Sequence, residues 1–362
     1  YTHVQHSDTS LTVSYNYEES TLQKFSEADL RRFKASYENY ILRVYDPVHG
    51  GFGTGQKFPQ ARTLLIALNV YQRTGNQAYL DVVLHTLENQ YTDITELQSN
   101  YNLFDPVEGG FHRYGVQRDW SPPHYEKMLY DNAKLLRTYK ALLDITPHNP
   151  LAQEVVDKTD AFMQREWYDW EQGGFYGNSD VHGEDLYYGN YPRQGEPPRV
   201  EQTKYTNWNA EAIITYLELY EKTQDETYEK IARDSLDFYY ENMFDRNGAY
   251  HYMDPEGNKG VQGNILDNAY LLLAFIAGYE TFLDEKYLKG AEKIATYSLD
   301  HLYDWNTGGF FERNSNDVDS YALGDNIILT KPSEENSIMA YALLQLYICL
   351  LYTSDAADDS RS

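Results

Sequence analysis

Asp105-Pro-Val-Glu-Gly109-Gly110-Phe111 occurs in four versions along this chain. The others are Asp46…Gly50-Gly51-Phe52, Asp169…Gly173-Gly174-Phe175 and Asp304…Gly308-Gly309-Phe310, and Asp245…Gly248-Ala249-Tyr250 is a degenerate fifth. They recur roughly every 60–75 residues, and self-similarity at a near-fixed period is the mark of a repeat architecture. Glycine permits the positive φ of a sharp reversal, and the following Phe can anchor that reversal to a core.

Each copy lies between two helical patterns. Ser26 with Asp29 reads as a helix start, Ser supplying the cap and the acid answering three residues on. After the first loop, Leu64, Leu65, Leu68 and Tyr71 form one apolar stripe. Leu135, Leu136, Tyr139 and Leu142 repeat it, as do Ile213, Ile214, Leu217 and Tyr220, then Leu271, Leu272, Phe275 and Tyr279, then Ala340, Leu343, Leu344 and Tyr347. Tyr71…Tyr79, Tyr220…Tyr228 and Tyr279…Tyr287 span short polar breaks that read as hairpin turns. The unit is therefore helix, Gly-Gly loop, helix, tight turn. The helices after the loops are the more apolar, as an inner ring wrapped by amphipathic outer helices requires. Five pairs are visible and a sixth would close an all-α (α/α)6 toroid. The expected organisation is a lead-in over 1–25, the toroid over 26–352, with part of the last hairpin lacking, and a tail over 353–362 that carries no apolar stripe and reads as foreign to the fold.

Fifty-six acidic residues against 30 basic give a formal charge of −26, which leaves no basic footprint for nucleic acid and no attraction to an anionic membrane. The single cysteine, Cys349, excludes an internal disulfide and a cysteine zinc cluster. No apolar run reaches the roughly 18 residues of a membrane span, and no signal peptide is visible, so the expected location is cytoplasmic. Gly51-x-Gly53-x-Gly55 with Lys57 follows no strand and lacks the ending of a phosphate loop, so no nucleotide cofactor is expected, and no metal set is present either.

Alternation of outer and inner helices places every Gly-Gly loop at one end of the toroid. The residues that open the inner helices should converge there as a polar, aromatic funnel. They include Lys57, then His124, Tyr125, Glu126 and Lys127, then Trp208 and Asn209, then Asp267 and Asn268, then Glu335 and Asn336. The second loop is the richest, adding His112, Arg113, Tyr114, Trp120 and Asp131. Clustered titratable groups in a cleft are the usual setting of acid–base chemistry. A histidine pair, His112 and His124, can remove and return a proton at a sugar carbon; a carboxylate pair such as Glu126 and Asp131 can serve as acid and base on a glycosidic bond. Trp120, Tyr125 and Trp208 offer flat surfaces for a sugar-like ligand. The insert from Gly177 to Gln202 reads either as a lid over the funnel or as a solvated loop.

Gly50-Gly-Phe-Gly-x-x-x-Lys57-Phe-Pro, Gly109-Gly-Phe-His-Arg-Tyr114 and Pro123-His-Tyr-Glu-Lys-Met-Leu-Tyr-Asp-Asn-Ala133 resemble the helical region of the YyaL/spermatogenesis-associated protein 20 family. Thr206-x-Trp208-Asn209, Gly308-Gly-Phe310 and Lys331-Pro…Glu335-Asn336 continue the likeness, which covers about residues 36–350. The resemblance implies a six-hairpin glycosidase-like toroid, similar to N-acylglucosamine 2-epimerases and many glycosidases. It also implies a thioredoxin-like domain as partner in full-length members. Asn178-Ser-Asp-Val-His182 stands where the family carries an acidic string. Three functions follow as expectations: a sugar epimerase or isomerase, a glycoside hydrolase, or a non-catalytic scaffold for the thioredoxin-like partner.

Overall fold

The computed structural model describes residues 2–7, 10–15, 26–92, 102–179, 187–189, 191–314 and 329–359, with side chains from 26 to 351. The chain divides into two compact units at residue 40. The first holds an antiparallel hairpin, β1 (Thr2–Ser7) with β2 (Ser10–Tyr15), registered from Thr2 opposite Tyr15 to Ser7 opposite Ser10. It also holds the start of helix α1 (Glu27–Val44). There the Ser26 hydroxyl accepts from the Asp29 amide at 3.2 Å while the Asp29 carboxylate accepts from the Ser26 amide at 3.0 Å, the reciprocal cap expected from those two residues.

The second unit takes up the chain within the last turns of α1. It continues with α2 (Ala61–Thr74), α3 (Gln77–Gln90), α4 (Leu129–Ile145), α5 (Pro150–Phe162), α6 (Thr206–Thr223), α7 (Glu226–Asn242), α8 (Ile265–Phe282), α9 (Glu285–His301) and α10 (Ser333–Asp359). Each helix that follows a Gly-Gly loop packs on the next of its kind: α2 on α4, α4 on α6, α6 on α8, α8 on α10. The outer helices α3, α5, α7 and α9 back them as hairpins. Inner α8 is apolar nearly all round and buries Ile265, Ala269, Leu271, Leu272, Ala274, Phe275 and Ile276, whereas outer α7 buries a single stripe around Ile231, Ala232, Leu236 and Tyr239. The inner helices approach closely enough for hydroxyls to cross between backbones: Thr138 donates to the Ala61 carbonyl at 3.2 Å and Thr215 to that of Ala133 at 3.1 Å. This is a six-hairpin glycosidase-like, all-α architecture, with five helix pairs among the described residues.

The loops are built alike. In each, the Asp amide donates to the carbonyl of the second glycine, at 2.9 Å in Asp46, Asp105 and Asp169 and 2.8 Å in Asp304. The residue before the Asp bridges to the Phe: Tyr45 to Phe52, Phe104 to Phe111, Tyr168 to Phe175, Tyr303 to Phe310. Both glycines hold positive φ, and at Gly109 (φ +88°) a Cβ would sit 2.1 Å from the Lys158 carbonyl oxygen.

Two further side chains fasten the loops to the helices they feed, the second of them absent from the first copy. A lysine ammonium bonds the Asp carboxylate and the first glycine's carbonyl. Lys127 does so at 2.8 and 2.7 Å to Asp105 and Gly109, Lys204 at 2.8 and 2.7 Å to Asp169 and Gly173, and Lys331 at 2.6 and 2.7 Å to Asp304 and Gly308. Lys57 makes the same pair of bonds, one to the Gly50 carbonyl and one to Asp46, the latter at 2.8 Å. Five residues after the lysine, an asparagine accepts from the Phe amide: Asn132 from Phe111, Asn209 from Phe175 and Asn336 from Phe310, each at 2.6 Å. In the degenerate copy Gln262 replaces the lysine, donating to Asp245 at 2.7 Å and Gly248 at 3.0 Å, and Asn268 accepts from Ala249 at 3.1 Å. Among the four full copies only the first breaks the second half of the pattern: five residues after Lys57 stands Arg62.

Candidate functional site

Arg62, without a loop to fasten, enters a cavity of about 300 Å³ between the inner helices. Lys134, Arg137, Thr138, Glu211, Tyr270 and Ser337 supply the rest of its polar lining, with Leu65, Ile214, Leu273, Ile338 and Tyr341 as apolar walls. Lys134, Glu211 and Tyr270 each stand two residues after a clamping asparagine, the register that turns a side chain toward the axis. The Arg62 guanidinium donates to Glu211 at 2.6 Å, to Glu334 at 3.0 Å and to the Tyr270 hydroxyl. Burial works against its charge, but Glu211 and Tyr270 overcome that and hold it above the usual arginine range. Burial pushes the Lys134 ammonium down, against the pull of Glu211 at 3.8 Å.

One turn back along α4, on the face that carries Lys134, lies Asp131. Its Oδ2 is buried and has no partner among the described residues. Burial raises its carboxyl to about 6, against the stabilising charges of Lys134 and Arg113 and a bond from Tyr130. Arg113 pairs with Glu126 at 2.8 Å, and Asn178 bonds the other carboxylate oxygen at 3.3 Å. Tyr130 lies 5.3 Å from Trp208, Trp208 lies 4.4 Å from Tyr205, and Tyr205 lies 5.6 Å from the ring of His251, so these aromatic side chains form a continuous wall. At its far end Asp267, fully buried, accepts from His251 Nδ1 at 2.9 Å, from the Asn264 amide group at 2.6 Å and from the Asn207 backbone at 3.2 Å.

The structure thus sorts the residues expected at the funnel. Lys57, Lys127, Asn209, Asn268 and Asn336 sit in loop clamps; Lys57 and Lys127 are fully buried there. Trp120 is fully buried over the first loop, its indole donating to the His49 carbonyl at 2.7 Å and its ring 5.3 Å from the Lys57 ammonium. His112 is sealed between Tyr125 and Tyr188, with ring separations of 5.3 and 4.8 Å, and its Nδ1 donates to the Tyr125 carbonyl at 2.6 Å. Burial, reinforced by the Lys127 charge, pushes its imidazole down to about 3, so it stays neutral. His124 is half-buried and stacked at 4.8 Å on Tyr114. Arg113, Glu126, Asp131, Trp208 and Asp267 occupy the connected polar and aromatic surface just described, and Glu335 is half-buried at the start of α10. Asp180, His182, Glu184 and Asp185 of the insert lie outside the described residues.

Sequence reading missed Arg62, Lys134, Glu211, Tyr270 and His251. The first four were recoverable by aligning the copies on the clamping asparagine, since among the four full copies Arg62 alone replaces it and the others stand two residues after it. His251 lies on β3 (Gly248–Met253), a strand that runs on from the degenerate loop into a hairpin with β4 (Lys259–Gln262).

No family model matches the chain. Among curated proteins, it is 31% identical to uncharacterised protein B0495.5 of Caenorhabditis elegans over 154 residues, covering 41% of this chain and 20% of that protein. It is 28% identical to human spermatogenesis-associated protein 20 over 177 residues, covering 47% of this chain and 20% of that protein. The match therefore spans a fifth of those relatives' length. Among solved structures, cellobiose 2-epimerase from Spirochaeta thermophila superposes with a TM-score of 0.53 at 15% identity, covering 91% of this chain and all of that one. A family 76 α-mannanase from Bacteroides thetaiotaomicron gives 0.60 at 15% identity, covering 90% and 81%. The Lin0763 protein from Listeria innocua gives 0.61 at 15%, covering 91% and 80%. At such identities the likeness speaks for the fold alone. Among the described residues no helix is long and apolar enough to cross a membrane. The sequence homologues, in contrast, are spermatogenesis-associated protein 20 and its relatives, matched over part of their length, and the chain is consistent with a region of the spermatogenesis-associated protein 20/YyaL-like family.

Proposed function

We propose that this domain binds a sugar or sugar derivative in the central cavity and moves a proton on it, as an epimerase or isomerase does, with Asp131 as the group that carries the proton. The observation that carries this reading is the state of Asp131: a buried carboxyl with an unpartnered oxygen, raised to about 6, one turn from a cavity lysine. A general acid or base works best when its affinity for the proton lies near the working pH. Around it stand groups suited to a polyol. Arg62, Glu211 and Tyr270 offer donors and acceptors for hydroxyls, and Tyr130 and Trp208 offer faces for the apolar side of a sugar ring. A cavity of about 300 Å³ falls at the small end of the range for small-molecule sites. The structural neighbours described as an epimerase and a mannanase add support for a sugar as the ligand class.

A second reading, a scaffold that presents a partner such as a thioredoxin-like domain, has one observation in its favour. Arg62 with Glu211 and Glu334, and one Arg113 NH group with Glu126, pair without a ligand.

Titration calorimetry with mono- and disaccharides, together with deuterium uptake at sugar carbons in heavy water followed by NMR, tests the proposal. Sugar binding with exchange that Asp131→Asn abolishes is the expected result. Release of a reducing sugar without exchange would reassign the site to hydrolysis, and absence of binding by any sugar would favour the scaffold.

A further inference from the structure

Three cations line the central cavity, and two of them are held by carboxylates. Arg62 donates to Glu211 at 2.6 Å and to Glu334 at 3.0 Å, and Arg137 meets Glu218 through two nitrogens, Nε at 2.9 Å. The third, Lys134, stands on α4, which packs between the helices that carry Arg62 and Glu211. An ammonium has three N–H groups to place. Among the described residues those of Lys134 find no acceptor within hydrogen-bond distance: Glu211 lies 3.8 Å away and the centre of the Tyr130 ring 5.0 Å away. The side chain is 21% exposed, and it faces the cavity. Buried charges are normally paired and hydrogen-bonded. Lys331, 25% exposed and so comparably covered, shows the usual state, with bonds of 2.6 Å to Asp304, 2.6 Å to Thr307 and 2.7 Å to the Gly308 carbonyl.

Glu211 is already committed. The oxygen that lies nearest Lys134 is the one that accepts from Arg62. Glu334, the other carboxylate on Arg62, is 70% exposed and screened by water. Asp131, one turn back, attracts the ammonium through space without bonding it. In the cavity wall itself, Arg62 and Lys134 against Glu211 leave one positive charge in excess.

We propose that the ligand of this cavity is a sugar acid, a monosaccharide bearing one carboxylate, and that Lys134 binds that carboxylate. The inference rests on the sugar-binding reading above and narrows its ligand class. A carboxylate brings the acceptors that the ammonium lacks, and its single charge matches the single excess. A phosphate ester carries nearly two negative charges at neutral pH, and the second would face Glu211 with nothing to oppose it. The rest of the lining suits the remainder of such a molecule. The Tyr270 oxygen accepts from Arg62, which leaves its own proton for a ligand hydroxyl, and Leu65, Ile214 and Leu273 face the C–H side of a ring. Burial holds the affinity of Lys134 for its proton below the ordinary, against the pull of Glu211, and a bound carboxylate would restore it. The formal charge of −26 does not forbid an anion here. Exposed charges are screened beyond about 8 Å at physiological salt, whereas the ammonium acts at contact.

The test is calorimetry on the whole chain at physiological ionic strength. It compares D-glucuronate, D-galacturonate and D-mannuronate with glucose, galactose and mannose, and with glucose 6-phosphate. Wild type is expected to bind at least one hexuronate ~10-fold or more tightly than the matching neutral sugar. Lys134→Met should abolish that preference and leave neutral-sugar affinity within about threefold of wild type. Lys134→Gln, which keeps a donor without the charge, should do the same and serves if the methionine variant does not fold. The preference of the wild type needs no variant at all. Neutral sugars bound as tightly as hexuronates overturn the inference and leave the sugar-binding reading standing. So does glucose 6-phosphate bound more tightly than glucuronate, or a preference that survives in either variant. A wild type that binds none of these compounds overturns both.

Discussion

Asp131→Asn is expected to stabilise the protein at neutral and alkaline pH while removing its proton transfer. In the fold the carboxyl is raised to about 6 from the ordinary value of 3.8, with burial as the main cause. A difference of roughly two units corresponds to about 3 kcal/mol against the ionised form. An acid whose folded value lies above its unfolded one contributes fully where both states hold the proton, below about pH 4, and that contribution is lost as pH rises through about 6. Asparagine never ionises. Its NH2 takes the place of the unpartnered Oδ2. The stability gap between variant and wild type should therefore be near zero at about pH 4 and reach about 3 kcal/mol at about pH 8. Urea titrations at several pH values, followed by both near- and far-ultraviolet circular dichroism, measure it directly. A gap that does not change with pH, or a variant less stable than wild type at about pH 8, would refute the reasoning. Either result would mean that the ionised carboxylate is solvated or paired in the fold, and Asp131 would lose its claim to acid–base work. The expected outcome is the usual exchange of stability for function at a site that holds a group in an unfavourable state.

Three other outcomes follow from the loops. Lys127→Met leaves Asp105 buried beside Arg193 alone and should cost about 3–5 kcal/mol, whereas Lys331→Met, whose lysine is a quarter exposed, should cost about 1–2 kcal/mol; urea midpoints separate the two. Gly109→Ala should cost at least about 3 kcal/mol, since its Cβ meets the Lys158 carbonyl, but Gly53→Ala only about 1 kcal/mol, since its φ of +82° is the sole penalty and no atom lies within 4 Å. Burial raises the Asp105 carboxyl, but Lys127 and Arg193 overcome it and hold it at about 2; Lys331 and Thr307 do the same for Asp304. With folded values below unfolded ones, these contributions are present above about pH 4 and lost as pH falls toward 2, so acid unfolding monitored by fluorescence should start earlier in Lys331→Met.

The helices and loops were legible because their signals are local and periodic. The stripe at Leu271, Leu272 and Phe275 and the glycines of Asp169…Gly174 each need only a few neighbours to be understood. The candidate site was legible in part. Polar residues at helix starts were read as ligand contacts; of these, Arg113 pairs with Glu126, Trp208 stacks near Tyr130, and Asp267 is buried against His251. Lys57, Lys127, Asn209 and Asn336 look the same in sequence, yet their partners are the carboxylates and amides of the preceding loops. A lysine eleven or more residues from its aspartate carries no local sign of that pairing; only its recurrence does. His251 was out of reach altogether, because its meaning lies in Asp267, sixteen residues on and on another element.

The loop clamps also order the assembly of the molecule. Asp and Lys are separated by 11, 22, 35 and 27 residues in the four full copies, so each hairpin can fasten itself before distant parts of the chain have met. Arg62 instead finds partners 149, 208 and 272 residues away. Contacts of that span are slow to form and carry the largest loop-closure entropy. Nucleation thus belongs to the rim, and the final gathering of the hairpins belongs to one guanidinium at the axis. Whatever fills the cavity also ties together the chain's most distant segments, so occupancy there should slow unfolding of the entire ring rather than stiffen a pocket alone.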